Sequence, residues 1–147
     1  MEDSLSRYSI PLRQEDTKLA TVYWLNPRDS KKGRLFMPVY DARHSLMFKI
    51  EYVYVSHFLV KGNTAGNHYH LIKQEILIPL QGTFEVYLED VKTKEREMIP
   101  MRSEENKVVY IKTGVSHKVV SLEDTGILLV LASTPSTLQD EIEYPIK

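Results

Sequence analysis

The chain has 147 residues, with 19 lysines and arginines against 20 aspartates and glutamates, and it contains no cysteine. Such a length fits one domain with its own hydrophobic core, and the balanced charge offers no basic surface for nucleic acid. Without cysteine there are no disulfides and no thiolate ligands, so a metal site would use nitrogen and oxygen. No apolar run is long enough to span a membrane and no secretory signal pattern opens the sequence, so we expect a cytoplasmic protein.

Short strands follow one another along most of the sequence. Residues 1–17 are polar and aperiodic, and we interpret them as a flexible arm before one domain at residues 18–147. Strands are predicted over residues 19–25, 33–40, 48–58, 75–80, 83–91, 94–101, 107–112, 117–122 and 126–133. A turn is predicted at residues 41–45, and a short turn at helical spacing near residues 137–141. One of them alternates Phe84, Val86 and Leu88 with polar residues, which is the period of a half-buried strand. So many short strands at regular spacing predict an all-β sandwich or barrel.

Residues 61–82 contain two histidines and a glutamate, with glycines near both ends. His68 and His70 are two positions apart, so on a strand they face the same side, about 7 Å apart along the chain. Glu75 begins the next predicted strand, and His117 begins a later one, so an antiparallel barrel can bring all four side chains to one interior site. Imidazole and carboxylate groups suit Zn, Fe, Mn, Ni or Cu. A cluster of neutral histidines can equally serve acid–base chemistry without a metal.

The spacing of these residues resembles the first cupin motif. The matching positions are Gly62, His68, His70, Glu75 and Gly82. Gly114 and His117 resemble the glycine and histidine of the second cupin motif. The resemblance implies a single-domain cupin jelly-roll β-barrel. It also implies that the three histidines and the glutamate bind one divalent transition metal ion, which would be Zn, Fe, Mn or Ni.

A narrower resemblance is to the WxcM-like nucleotide-sugar 3,4-ketoisomerases and to the cupin domain of capsular-polysaccharide reductase–epimerases. In the ketoisomerases a Val–Tyr pair, here Val53–Tyr54, precedes an Arg–Gly–x–His–x–His motif, in which Ala65 stands at the arginine position here. The resemblance implies catalytic roles for Tyr54 and His68, with His68 as the proton-moving base. A histidine nitrogen that coordinates a metal cannot act as a base, so His68 has this role only if the site is metal-free. We favour the metal, because Glu75 buried beside three histidines would otherwise be an uncompensated charge.

The leading hypothesis is therefore a metal-binding cupin that isomerises or epimerises a nucleotide-linked sugar in polysaccharide synthesis. The alternatives are a metal-dependent dioxygenase of a small molecule and a sugar-binding cupin without enzymatic activity. Four cations could hold a diphosphate, but we interpret each as an ordinary surface charge: Lys49, Lys61, Lys73 and Arg102. The strand at residues 19–25, which includes Trp24, could pack at a sheet edge or pair with a second chain. Because an uncovered edge invites pairing, this strand predicts a homodimer. We expect neither a nucleic-acid partner nor a membrane partner.

Overall fold

The structure is a computed structural model that describes residues 13–29, 32–40 and 48–147. Within these ranges the chain forms thirteen strands and two short 3-10 turns at Ser103–Glu105 and Leu138–Asp140. The strands are β1 (Arg13–Asp16), β2 (Thr21–Trp24), β3 (Arg28–Asp29), β4 (Leu35–Phe36), β5 (Tyr52–Phe58), β6 (Thr64–Tyr69), β7 (Glu75–Gln81), β8 (Thr83–Asp90), β9 (Arg96–Arg102), β10 (Lys107–Ile111), β11 (Val115–Ser121), β12 (Gly126–Ala132) and β13 (Ile142–Glu143). No helix in these ranges is long and apolar enough to cross a membrane.

Two large antiparallel sheets form the barrel, and β3 and β4 pair as a separate two-stranded sheet. The first has six strands in the order β1-β2-β10-β7-β12-β5, and the second has five in the order β13-β6-β11-β8-β9. From β6 onward the chain passes repeatedly from one sheet to the other, so neighbours in space are distant in sequence. This is the jelly-roll arrangement, and it confirms the predicted all-β cupin barrel.

The core lies between the two sheets. The alternation predicted for β8 is confirmed, because Phe84, Val86 and Leu88 are each at most 1% exposed. They pack against side chains of the facing sheet that include Leu77 and Val130. Burying side chains of this size stabilises the fold by about 1.5–3 kcal/mol each. This packing holds the barrel wall on which the polar site is built.

A second apolar layer covers the outer face of the six-stranded sheet. Tyr23, Ile76 and Val108 point outward from this sheet and contact the segments around Met37 and Phe48. These segments lie on the sheet face, so the predicted strand at residues 33–40 is reduced to β4, and the strand predicted from residue 48 begins only at Tyr52. The turn predicted between them, at residues 41–45, lies outside the described residues.

The N-terminal prediction needs a correction. Residues 1–12 of the predicted arm lie outside the described residues, but Arg13–Asp16 form β1 and pair with β2. The guanidinium group of Arg13 lies 3.7 Å from the centre of the Trp24 ring, which helps to hold the two strands together. Since β2 also pairs with β10, it is an interior strand, and the edge predicted at residues 19–25 is wrong. The homodimer stays a prediction.

Candidate active site

The structure brings together the four side chains that the motif predicts. The nitrogen and oxygen atoms that His68, His70, Glu75 and His117 could offer to a metal ion all lie within 4.8 Å of one another. The ring centre of His68 lies 4.8 Å from that of His70 and 4.9 Å from that of His117. β6, β7 and β11 supply three of these residues, and His70 follows β6 directly.

A bulge in β6 aims His68 at His117. His117 pairs with His68 while Lys118 pairs with Gly66, so Asn67 is an extra residue on β6. Gly66 has a φ of 96°, and a Cβ atom there would lie 2.3 Å from the carbonyl oxygen of His117. The motif therefore needs glycine at this position for both conformation and space.

Two of the histidines are locked in the interior. His70 is 3% exposed, and its Nδ1 donates to the backbone oxygen of Asp140 at 2.9 Å, which directs Nε2 toward Glu75. The carbonyl oxygen of His70 accepts from the amide of Gly114, which fixes the turn before His117. Burial lowers the pKa of His117 to about 4, although the charge of Glu75 opposes this shift. His117 is therefore neutral at neutral pH.

His68 is the least buried histidine of the cluster. Its side chain is half-buried, whereas His70 and His117 are fully buried. Burial lowers the pKa of His68 and the charge of His70 adds to this, while Glu141 and Glu75 act in the opposite direction. At neutral pH His68 is thus a neutral imidazole at the accessible side of the cluster, where it can accept a proton.

Glu75 is the centre of the polar contacts. Its Oε1 lies 3.1 Å from His70 Nε2 and 3.1 Å from Lys73 Nζ. Neither contact has regular hydrogen-bond geometry, so charge rather than a directed bond holds Oε1. Its Oε2 accepts from the hydroxyl of Tyr54 at 3.1 Å. Burial alone would raise the pKa of Glu75. The contacts with His70, His117 and Lys73 have a larger and opposite effect, so the pKa lies well below its usual range.

Lys73 belongs to the site. Its interpretation as an ordinary surface charge is wrong. Only 2% of it is exposed, and Nζ lies 2.5 Å from Ser136 Oγ as well as beside Glu75. In sequence Lys73 stands in a short connection between strands, where a lysine is normally solvated. Only its position two residues before Glu75 signals its role.

Asp140 was also missed, and it shapes the loop that carries Lys73. Its carboxylate accepts hydrogen bonds from the backbone amides of Leu71, Ile72 and Lys73, each at 2.9 Å. The short turn predicted near residues 137–141 is present as the 3-10 turn at Leu138–Asp140. The C-terminal segment therefore closes one side of the site.

Tyr54 is a tyrosine that contacts the cluster. It lies on β5, and burial followed by the nearby charge of Glu75 raises its pKa, so its hydroxyl stays protonated. Tyr87 instead donates to Glu85, and Tyr110 donates to Gln74. Ala65, at the arginine position of the resembling motif, is exposed on β6. The catalytic roles of Tyr54 and His68 stay predictions.

The predicted metal ion can be tested against the donor set. Three imidazoles and a carboxylate are suitable ligands, and His70 Nε2 and His117 Nδ1 have no hydrogen-bond partner among the described residues. However, the ammonium group of Lys73 already compensates the carboxylate charge that was the argument for a metal. A divalent ion on Glu75 would face this buried cation, so in charge the residues do not fit a resident divalent ion. The metal stays a prediction.

Comparison with protein families now identifies the relatives of the chain. The family model described as "FdtA: WxcM-like, C-terminal" matches residues 17–144. The chain belongs to this family. The match covers nearly all of both sheets, including every residue of the cluster, and it bears out the narrower resemblance seen in the sequence. No curated protein matches the chain in sequence.

Solved structures share the fold of this WxcM-like chain. A dTDP-4-dehydrorhamnose 3,5-epimerase from Bacillus anthracis, with TDP and PPi bound, has a TM-score of 0.77 at 12% identity, covering 92% of this chain and 91% of that one. A mutant of QdtA, a 3,4-ketoisomerase from Thermoanaerobacterium thermosaccharolyticum in complex with TDP-4-keto-6-deoxyglucose, has a TM-score of 0.75 at 23% identity, covering 87% and 89%. A 3,4-ketoisomerase from Helicobacter canadensis has a TM-score of 0.73 at 18% identity, covering 84% and 90%. At these identities the likeness shows the shared fold.

Proposed function

We propose that this protein is a ketoisomerase of a nucleotide-linked keto sugar, with His68 as the base that moves the proton. Membership of the WxcM-like family and the fold shared with TDP-sugar ketoisomerases and epimerases support the substrate class. The observation that carries the proposal is the position of His68. It is a neutral, half-buried imidazole at the accessible side of a cluster whose other members are buried.

The reaction needs one base beside a carbon that is next to a ketone. His68 removes the proton from that carbon, and the electron pair moves toward the ketone oxygen to give an enediolate. His68 then returns the proton to the former carbonyl carbon, while the proton of the neighbouring hydroxyl passes to the former ketone oxygen. The old ketone is now a hydroxyl, and the ketone has moved by one carbon. Atoms and electrons balance without an oxidant, and a base on one face of the sugar is sufficient.

The buried members of the cluster prepare His68 for this role. Tyr54 holds one oxygen of Glu75 and Lys73 compensates the other, so the carboxylate keeps a fixed place and charge. Epimerisation, the second candidate, would return the proton to the same carbon from the opposite face, which needs a proton donor there. The hydroxyl of Tyr54 is engaged by Glu75, and this arrangement favours the isomerase.

Proton exchange and product structure test the proposal together. The protein is incubated with TDP-4-keto-6-deoxyglucose in D₂O, and NMR follows deuterium uptake and the position of the ketone. We expect deuterium at the former carbonyl carbon and a 3-keto product. His68→Asn should lower the rate by about 10²–10⁴-fold, which is the usual contribution of a positioned base.

His57→Asn is the matched control, because His57 is an exposed histidine on β5, outside the cluster. It should leave the rate unchanged. Deuterium uptake at the original carbon with inverted configuration would instead identify an epimerase. An active His68→Asn variant, or no exchange by the wild-type protein, would reject the assigned base or the substrate class.

A further inference from the structure

The burial pattern of the loop after β6 is the reverse of what its residue types predict. Leu71 and Ile72 are 64% and 69% exposed, whereas Lys73 is 2% exposed. Lysine is almost never fully buried unless it is paired, and a folded chain normally buries the two apolar residues instead. Such a local conflict between residue type and position is typical of a functional site.

The backbone holds Lys73 in this inverted position. Asp140 accepts the amides of residues 71–73, and the amide of Gln74 donates to Ser133 Oγ at 2.9 Å. Four successive amides are thus tied to the C-terminal part of the chain. The fixed backbone of this loop therefore directs Lys73 inward.

The ammonium group is directed at a carboxylate oxygen of the candidate metal cluster. Lys73 Nζ lies 3.1 Å from Glu75 Oε1, and both side chains are at most 4% exposed. Ser136 Oγ lies 2.5 Å from the same nitrogen. With one cation and one carboxylate, the pair is neutral before any ion binds. A divalent ion on Glu75 would leave a buried positive excess beside three imidazoles.

We propose that Lys73 is the resident cation of this site and that its ammonium group excludes a divalent metal ion from the histidine–glutamate cluster. Lys73 then takes the charge-compensating place that a metal has in a four-ligand site. Removing this one charge, while leaving the four donors in place, should create a metal site. The inference concerns ion binding and does not depend on the proposed sugar reaction.

Metal titration of the wild-type protein and of Lys73→Met tests the inference. Both proteins are treated with a chelator, dialysed and titrated with Ni²⁺ by calorimetry, and bound metal per chain is counted by elemental mass spectrometry. We expect the wild-type protein to retain far less than one ion per chain and Lys73→Met to bind one. The affinity should rise by about 10–100-fold, the range over which groups next to metal ligands act.

Three further variants make the result specific. Lys73→Arg keeps the charge and should bind Ni²⁺ as weakly as the wild-type protein. Lys61→Met removes an exposed lysine and should also change nothing. Adding His70→Asn to Lys73→Met should abolish the gained binding, which shows that the ion occupies the cluster.

Equal Ni²⁺ binding by the wild-type protein and Lys73→Met, whether strong or weak, would overturn the inference. If Lys73→Met lacks a cooperative thermal transition, the wild-type titration decides alone, since one tightly bound ion per chain rejects exclusion by Lys73 and no bound ion supports it. Absence of sugar turnover by the wild-type protein would count against the proposed function and would leave the metal result intact.

Discussion

The site has a closed half and an open half, and they differ in how firmly each side chain is held. In the closed half, His70, Lys73, Glu75 and His117 are each at most 4% exposed, and neighbouring groups determine their charges. In the open half, His68 is half-buried and lies on the accessible side of the cluster. The proposed function assigns a separate task to each half, in which the closed half fixes the electrostatics and the open half would contact the substrate.

The largest effect on stability should come from splitting the ion pair of the closed half. Lys73→Met leaves Glu75 buried without its cation, and breaking a buried pair in this way costs about 3–5 kcal/mol. The free energy of unfolding is measured by urea denaturation with a chelator present. His68→Asn, in the open half, should cost much less.

The double variant Lys73→Met/Glu75→Gln sharpens this prediction. It removes both charges, so it should recover a large part of the stability lost by Lys73→Met alone. A Lys73→Met variant that loses less than about 1 kcal/mol would mean that another group compensates Glu75. In that case the closed half would not depend on Lys73 for its charge.

A pH titration should separate the two halves by the behaviour of His117. Its pKa is about 4 in the folded protein, because burial disfavours the charged form, against about 6.5 in the unfolded chain. Between these two values the unfolded chain binds a proton that the folded protein does not, so stability falls as the pH falls. The 2.5-unit difference corresponds to about 3 kcal/mol lost between pH 7 and pH 4.

The control for this titration is His117→Gln, whose pH dependence over the same window should be smaller by about that amount. Urea denaturation at a series of pH values in the presence of a chelator measures it. Glu75 also has a lowered pKa and loses its contribution as the pH falls, so the difference between the two proteins is the quantity to compare. Identical pH profiles would contradict the burial of a neutral His117.

The two halves also differ in how far the sequence predicts them. The spacing of His68, His70 and Glu75 is local, and strand periodicity places such residues on one face, so their convergence with His117 was predictable. Burial of Lys73 depends on Asp140, which lies 67 residues later in the chain. No local pattern encodes that contact, and a lysine in a loop is normally interpreted as solvated.

The same reasoning explains the fold. Alternation in β8 is encoded by neighbouring residues and was predicted, together with the all-β barrel. The short strand Arg13–Asp16 has four exposed residues and carries no apolar pattern, because it forms by pairing with β2. The sequence therefore did not predict the long-range pairing of β1 or the contacts by which the C-terminal segment closes the site.

The smallest expected effect concerns the bulge that joins the two halves. In Gly66→Ala the new Cβ would lie 2.3 Å from the backbone oxygen of His117, and the residue would keep a φ of 96°. Gly62→Ala is a matched control, because Gly62 has a φ of 91° but no atom of the described residues lies within 4 Å of the added carbon. Both variants should lose about 1–3 kcal/mol from backbone strain. Only Gly66→Ala should also push His68 away from His117 and lower the turnover rate, so equal turnover in the two variants would show that the bulge does not position the base.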